Sequence, residues 1–125
     1  EQAFNFYKSV LGGSITDIQR FSDTPHAAQM PDSEKKKIMH ISLETEQGTI
    51  MGNDHNDFMG PYQLGNNFSM SVHPNSEQEA KKIFDGLGEG GNIIMPIDKV
   101  FWGAYFGMLI DKFGIKWLVN YHPKQ

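Results

Sequence analysis

One order of helical and strand-like patterns occurs twice in this chain, and that repetition constrains the fold more than any single motif. From Glu1 to Leu11, residues Ala3, Phe6, Tyr7 and Val10 recur at three- and four-residue steps, and Phe4 and Leu11 widen the stripe, so this segment reads as an amphipathic helix. Gly12-Gly13 ends it, because glycine takes left-handed conformations at little cost. Ser14 to Phe21 reads as a strand. Lys37 to Thr45 alternates more cleanly, with Met39, Ile41 and Leu43 pointing one way and His40, Ser42 and Glu44 the other. A turn at Glu46-Gln47-Gly48 and a return through Thr49 to Asn53 make residues 37–54 a hairpin.

The second round opens with a strand, Asn67 to His73, whose Phe68, Met70 and Val72 oppose Asn67, Ser69, Ser71 and His73. Ser76-Glu77-Gln78-Glu79 is a capping box, and Ala80, Ile83, Phe84 and Leu87 form the buried stripe of the helix it starts. After Gly86, Gly88, Gly90 and Gly91 come strands at Asn92 to Pro96 and Val100 to Trp102. A hairpin strand from Phe106 to Ile110 follows, then a turn at Asp111 to Gly114 and a last strand, Ile115 to Tyr121.

The spacing supports the repeat. Ala3 and Ala80 are 77 residues apart and Gly48 and Gly114 are 66 apart. The difference of 11 fits the polar, proline-containing loop at 22–36, which the second round lacks. Two βαβββ modules of α+β class are the simplest account, the first lacking its first strand. They span residues 1–56 and 66–125 of a single domain, joined by a turn-rich stretch. Residue 1 is Glu and no N-cap precedes it, so a preceding segment is expected to be missing.

Composition enters by exclusion. A chain of 125 residues is long enough for one core. It has no cysteine, which removes disulfides, cysteine metal sites and thiol catalysis. A net charge of −4 argues against nucleic acid, since the one basic run, Lys35-Lys36-Lys37, is flanked by Asp32 and Glu34. No apolar run is long enough to span a bilayer and no signal segment is present, so neither membrane nor export is expected and the cytoplasm is the expected location.

Several stretches carry a family resemblance. Ala3-Phe4-Asn5-Phe6-Tyr7-Lys8-Ser9-Val10-Leu11-Gly12-Gly13, Ile38-Met39-His40, Phe101-Trp102-Gly103, and Phe106-Gly107-Met108-Leu109-Ile110-Asp111 through Phe113-Gly114-Ile115-Lys116-Trp117 resemble the PhnB-like branch of the vicinal oxygen chelate superfamily. That superfamily includes glyoxalase I, bleomycin-resistance proteins and extradiol dioxygenases. The resemblance implies paired βαβββ modules, each curving a sheet around a cavity, usually in a homodimer. Members of this branch are often labelled demethylubiquinone methyltransferase-like. The residues do not support that activity, because Gly86 to Gly91 follows a helix rather than forming a strand-to-helix nucleotide loop.

The resemblance also implies metal positions on the first and last strands of each module, where His and Glu hold a divalent ion that stabilises an enolate-like charge. Transferred to this chain, they fall before Glu1, near Met51 or Gly52, on Asn67 and on Leu118. No metal and no other cofactor is therefore expected. The face that would line a cavity carries His40, Ser42, Glu44, Asn67, Ser69, Ser71, His73, Lys116, Leu118 and Asn120, with Asp54 the repeat partner of Asn120. A solvated outer face explains the same residues, since antiparallel sheets commonly leave one face wet.

His40, placed mid-strand, is the candidate for catalysis, as an imidazole able to serve as general acid or base; a hydrogen-bonded structural histidine is the competing reading. Glu44 lies about 13 Å along the strand from it, too far for a dyad. Trp102 and Tyr105, in an aromatic cluster around Gly103, could stack on a planar ligand or fill core or interface. The expected ligand-binding set is His40, Ser42, Asn67, Ser69, Trp102, Tyr105 and Asn120. Three functions compete: a metal-independent homodimer binding a small organic ligand; a divalent-metal lyase, isomerase or dioxygenase; and a domain for self-association or partner binding.

Overall fold

A computed structural model describes residues 1–123, so the last two positions of the expected 66–125 module lie outside the described residues. The chain forms two compact units, one of residues 1–63 and one beginning at Leu64. Each combines helix with a mainly antiparallel sheet, the α+β architecture that the repeat implies.

The first unit contains helix α1 (Gln2–Leu11), strand β1 (Ser14–Arg20), a single-turn helix α2 (Asp32–Lys35) and strands β2 (Ile38–Thr45) and β3 (Gly48–Gly52). The sheet order is β1-β2-β3, antiparallel throughout. Tyr7 of α1 is buried, as are Ile38, Ile41 and Leu43 of β2. Gly13 joins α1 to β1 at φ 90°, and a Cβ there would run into the Glu44 carbonyl of β2, so the helix can lie this close to the sheet only with glycine at the corner.

The loop at 22–36 is more ordered than its composition suggests. It contains two 3₁₀ turns and α2, and it starts from a buried Phe21 whose ring meets Phe58 edge-on at 5.9 Å. The guanidinium of Arg20 donates to the Lys36 carbonyl at 2.9 Å and to Glu1 at 2.7 Å, tying both ends of the loop to the start of α1. Lys35 and Lys37 pair with Asp32 and Glu34, at 3.4 and 3.0 Å.

The second unit contains β4 (Met70–Val72), α3 (Glu77–Gly88), β5 (Asn92–Lys99), β6 (Tyr105–Ile110) and β7 (Lys116–Tyr121). Its order is β4-β7-β6-β5, with β4 parallel to β7 and the other pairs antiparallel. That is a complete βαβββ module, α3 being the crossover that parallel pairing requires. Among the described residues, β3 of the first unit pairs only with β2, whereas its counterpart β7 is flanked on both sides.

Helix α3 places Ala80, Ile83, Phe84 and Leu87 on the sheet face made by Val72, Leu109, Trp117 and Val119, all buried. Gly107 lets it approach, since a Cβ there would sit 2.6 Å from the Phe84 ring. The helix starts as its sequence predicts, with the Glu79 N–H donating to the Ser76 hydroxyl at 3.0 Å. The return bond differs from a capping box, because the Glu79 carboxylate accepts from the N–H of Asn75, not Ser76, at 2.8 Å.

Three strand boundaries depart from the periodicity. The strand expected at 67–73 pairs only over Met70–Val72, leaving Asn67, Phe68 and Ser69 exposed ahead of it. β5 continues through Pro96 to Lys99, which is possible because β5 is an edge strand whose register is already interrupted near Met95. Val100 to Trp102, expected as a strand, is a turn closed by the Gly103 N–H donating to the Val100 carbonyl at 3.0 Å.

The β6–β7 turn is built on one buried carboxylate. Asp111 Oδ1 accepts from the N–H groups of Phe113 and Ile115, at 2.8 and 3.0 Å, and Oδ2 accepts from the indole Nε1–H of Trp117 at 2.8 Å. Among the described residues no helix is long and apolar enough to cross a membrane.

Candidate functional site

In the first unit, cross-strand register places Asp17 opposite Ser42 and Gln19 opposite His40. His40 and Ser42 stand two residues apart on one face of β2, and Asp17 reaches them from β1. The His40 Nε2 lies 3.0 Å from the Ser42 hydroxyl and 3.7 Å from the Asp17 carboxylate, the latter an ion pair only with the ring protonated.

The three side chains have the composition of a nucleophile relay without its geometry. A relay needs serine on one ring nitrogen and the carboxylate on the other. Here both partners address Nε2, so Asp17 cannot orient the ring for Ser42. His40 is a hydrogen-bonded histidine at a half-exposed position, with both contacts on Nε2. Glu44, on the same strand, is exposed at the hairpin end.

Strand register also corrects the repeat partner of Asn120. Ser42 faces Met51 in the first hairpin, and Met108 faces Leu118 in the second, so Met51 matches Leu118 and Asn53 matches Asn120. Asp54 falls one position further on and closes the start of β2, its carboxylate accepting from the Ile38 N–H at 2.7 Å and its own N–H donating to the Ile38 carbonyl at 2.9 Å. The Asp54 pairing fails because the second turn is longer than the first: Thr45 pairs with Gly48, whereas Ile110 pairs with Lys116.

In the second unit, the side chains of β6 and β7 divide cleanly. Gly107, Leu109, Trp117 and Val119 face α3, so Phe106, Met108, Leu118 and Asn120 occupy the opposite face. Ser71 joins that face beside Leu118, and its hydroxyl lies 3.3 Å from His73 Nε2. Phe106 and Asn120 are directly opposed partners, and Trp102 meets the Phe106 ring at 5.7 Å with 48% of its own surface exposed. Asn120 Oδ1 is sealed from solvent and has no hydrogen-bond partner among the described residues. Asn67 and Ser69 do not join this face through strand pairing, since both precede β4.

Tyr105 belongs elsewhere. It shares its face with Gly107 and Leu109, so it stands on the helix side of the sheet, opposite to Asn120. There it lines a cavity of about 380 Å³ together with Glu77, Lys99 and Tyr121. The expected ligand-binding set groups Tyr105 with Asn120; alternation along β6 and β7 separates the two.

The metal positions implied by the resemblance do not form a donor set. Asn67 is exposed in the segment before β4, Leu118 is aliphatic, and Met51 is largely exposed. Among the described residues no three His, Asp or Glu side chains converge.

Comparison with known proteins completes the picture. A family model described as 3-demethylubiquinone-9 3-methyltransferase matches residues 1–120. Protein PA1353 from Pseudomonas aeruginosa is 35% identical, with a TM-score of 0.86 over 99% of this chain and 90% of that one. The PhnB protein from Bacillus cereus is 23% identical, with a TM-score of 0.72 over 96% and 88% of the two chains. A glyoxalase/bleomycin resistance protein/dioxygenase family enzyme from Burkholderia phytofirmans PsJN shares the fold, at 14% identity and a TM-score of 0.65 over 95% and 87%.

Proposed function

Because the chain belongs to the family described as 3-demethylubiquinone-9 3-methyltransferase, a PhnB-like group of glyoxalase/bleomycin-resistance fold, we propose that it binds a small organic molecule without a chelated metal. The observation that carries this reading is Asn120. A buried amide oxygen without a donor is costly, by roughly 1–3 kcal/mol, and a native protein keeps such a group where something else supplies the donor. Phe106 and Leu118 beside it offer apolar surface, so the matching ligand carries an N–H or O–H next to a planar or aliphatic part.

The donor set supports the absence of a chelated metal, since asparagine, leucine and methionine stand where the superfamily's metal enzymes place imidazole and carboxylate. The family's methyltransferase label finds no support in the glycine-rich stretch, which lies at the C-terminal end of α3 and not at a strand-to-helix turn. Self-association belongs to the same reading, supported by Ile93, Ile94 and Met95, all exposed on the edge strand β5. Sedimentation of the purified protein tests it, and a monomer at all concentrations refutes it.

The test of the main reading is native mass spectrometry of freshly purified protein, paired with elemental analysis. A co-purified organic molecule that Asn120→Ala no longer retains, at sub-stoichiometric Zn, Ni, Mn and Fe, is the expected result. One equivalent of a transition metal needed for turnover overturns it.

A further inference from the structure

We propose that the cavity on the helix side of the second sheet is a separate binding site for a small zwitterion of the amino-acid type. The site is built by register. Lys99, Tyr105 and Tyr121 are direct cross-strand neighbours at the end of β5, β6 and β7, so their side chains stand in a row on one face. That face is the one α3 covers, and the first residue of α3, Glu77, forms the opposite wall. The floor is apolar, made by Val100 and the buried Ala104. The volume, about 380 Å³, suits a small molecule.

The chemistry follows from what these groups do not do. Glu77, Lys99, Tyr105 and Tyr121 line one hollow, and among the described residues none of their side chains forms a hydrogen bond or ion pair. Glu77 and Lys99 face the same hollow without reaching one another. A simple anion would meet Lys99 but be repelled by Glu77, and a simple cation would meet the reverse. A ligand with both an ammonium and a carboxylate satisfies both at once. The tyrosine hydroxyls can each donate to its carboxylate, and the aromatic and aliphatic walls accept an apolar side chain.

This site is independent of the Asn120 face, because alternation along β6 and β7 puts Tyr105 and Tyr121 on one side of the sheet and Asn120 on the other. Titration calorimetry with L-phenylalanine, phenylacetate and phenethylamine as probes tests the proposal on the intact chain. L-phenylalanine should bind, and each singly charged probe should bind about tenfold more weakly, the loss of one ionic contact. Lys99→Met should abolish the preference for L-phenylalanine over phenethylamine, and Glu77→Gln the preference over phenylacetate. Both residues are exposed, so the variants should keep the wild-type thermal midpoint, and Tyr105→Phe should weaken L-phenylalanine and phenylacetate but not phenethylamine. Asn120→Ala should leave all three affinities unchanged. Absence of binding by L-phenylalanine, equal binding of the three probes, or loss of L-phenylalanine binding in Asn120→Ala each overturns the proposal.

Discussion

Asp111→Ala is expected to lower stability by about 3 kcal/mol, and the figure follows from the geometry of one turn. Among the described residues, the Asp111 carboxylate accepts from two backbone N–H groups and from the Trp117 indole. The N–H groups of Phe113 and Ile115 are half-buried and can turn partly to water, so each loss lies at the low end of the roughly 1–3 kcal/mol of a bond to a charged group. Trp117 cannot do the same. It is 1% exposed, so its Nε1–H stays in the core without an acceptor. The relief of an almost fully buried carboxylate offsets part of the sum. With an m value of about 1.5 kcal/mol/M, the urea midpoint falls by about 2 M. The assay is equilibrium unfolding followed by Trp117 fluorescence in a Trp102→Phe background, leaving one indole to report. Asp111→Asn separates the donors. It can keep an oxygen toward the two backbone N–H groups, but it then turns an amide N–H toward the indole N–H, and should lose about half as much. A loss under about 1 kcal/mol for Asp111→Ala, or a wild-type midpoint for Asp111→Asn, would refute the reasoning.

Other perturbations test the fold and the site at independent points. Gly13→Ala should lose more than about 2 kcal/mol in the same urea assay, because φ 90° and the Glu44 carbonyl both oppose a Cβ. Gly48→Ala, at φ 123° but with open space around it, should lose only about 1 kcal/mol, and equal losses at the two positions would count against the close-approach argument. Ser76→Ala should lower stability by about 1 kcal/mol through the missing cap on α3, read as a lower thermal midpoint. Asn120→Val should raise the unfolding free energy of ligand-free protein by up to about 1 kcal/mol, read as a higher midpoint, while removing ligand retention, since it deletes an acceptor left unpaired among the described residues. A lower midpoint in ligand-free protein would show that Asn120 serves the fold instead.

What the amino-acid order determines here is local periodicity and its punctuation. The helical stripe of Ala80, Ile83, Phe84 and Leu87, the cap at Ser76, and the alternation of Met39, Ile41 and Leu43 against His40 and Ser42 each depend on residues within a few positions of one another, and each is readable without coordinates. The repeat is readable for the same reason, because matching glycines mark matching turns. Tertiary structure decided which strands pair, and how far. β4 shrinks to Met70–Val72 because it extends only as far as it pairs with β7, and Pro96 sits inside β5 because that strand has a free edge. The separation of Tyr105 from Asn120, the match of Asn53 to Asn120, the shared Nε2 of His40 and the three donors on Asp111 all depend on register between strands or on the length of a turn. A shift of one residue reverses the face of every side chain on a strand, and that choice is made by the partner strand and the packed core, which lie far away along the chain.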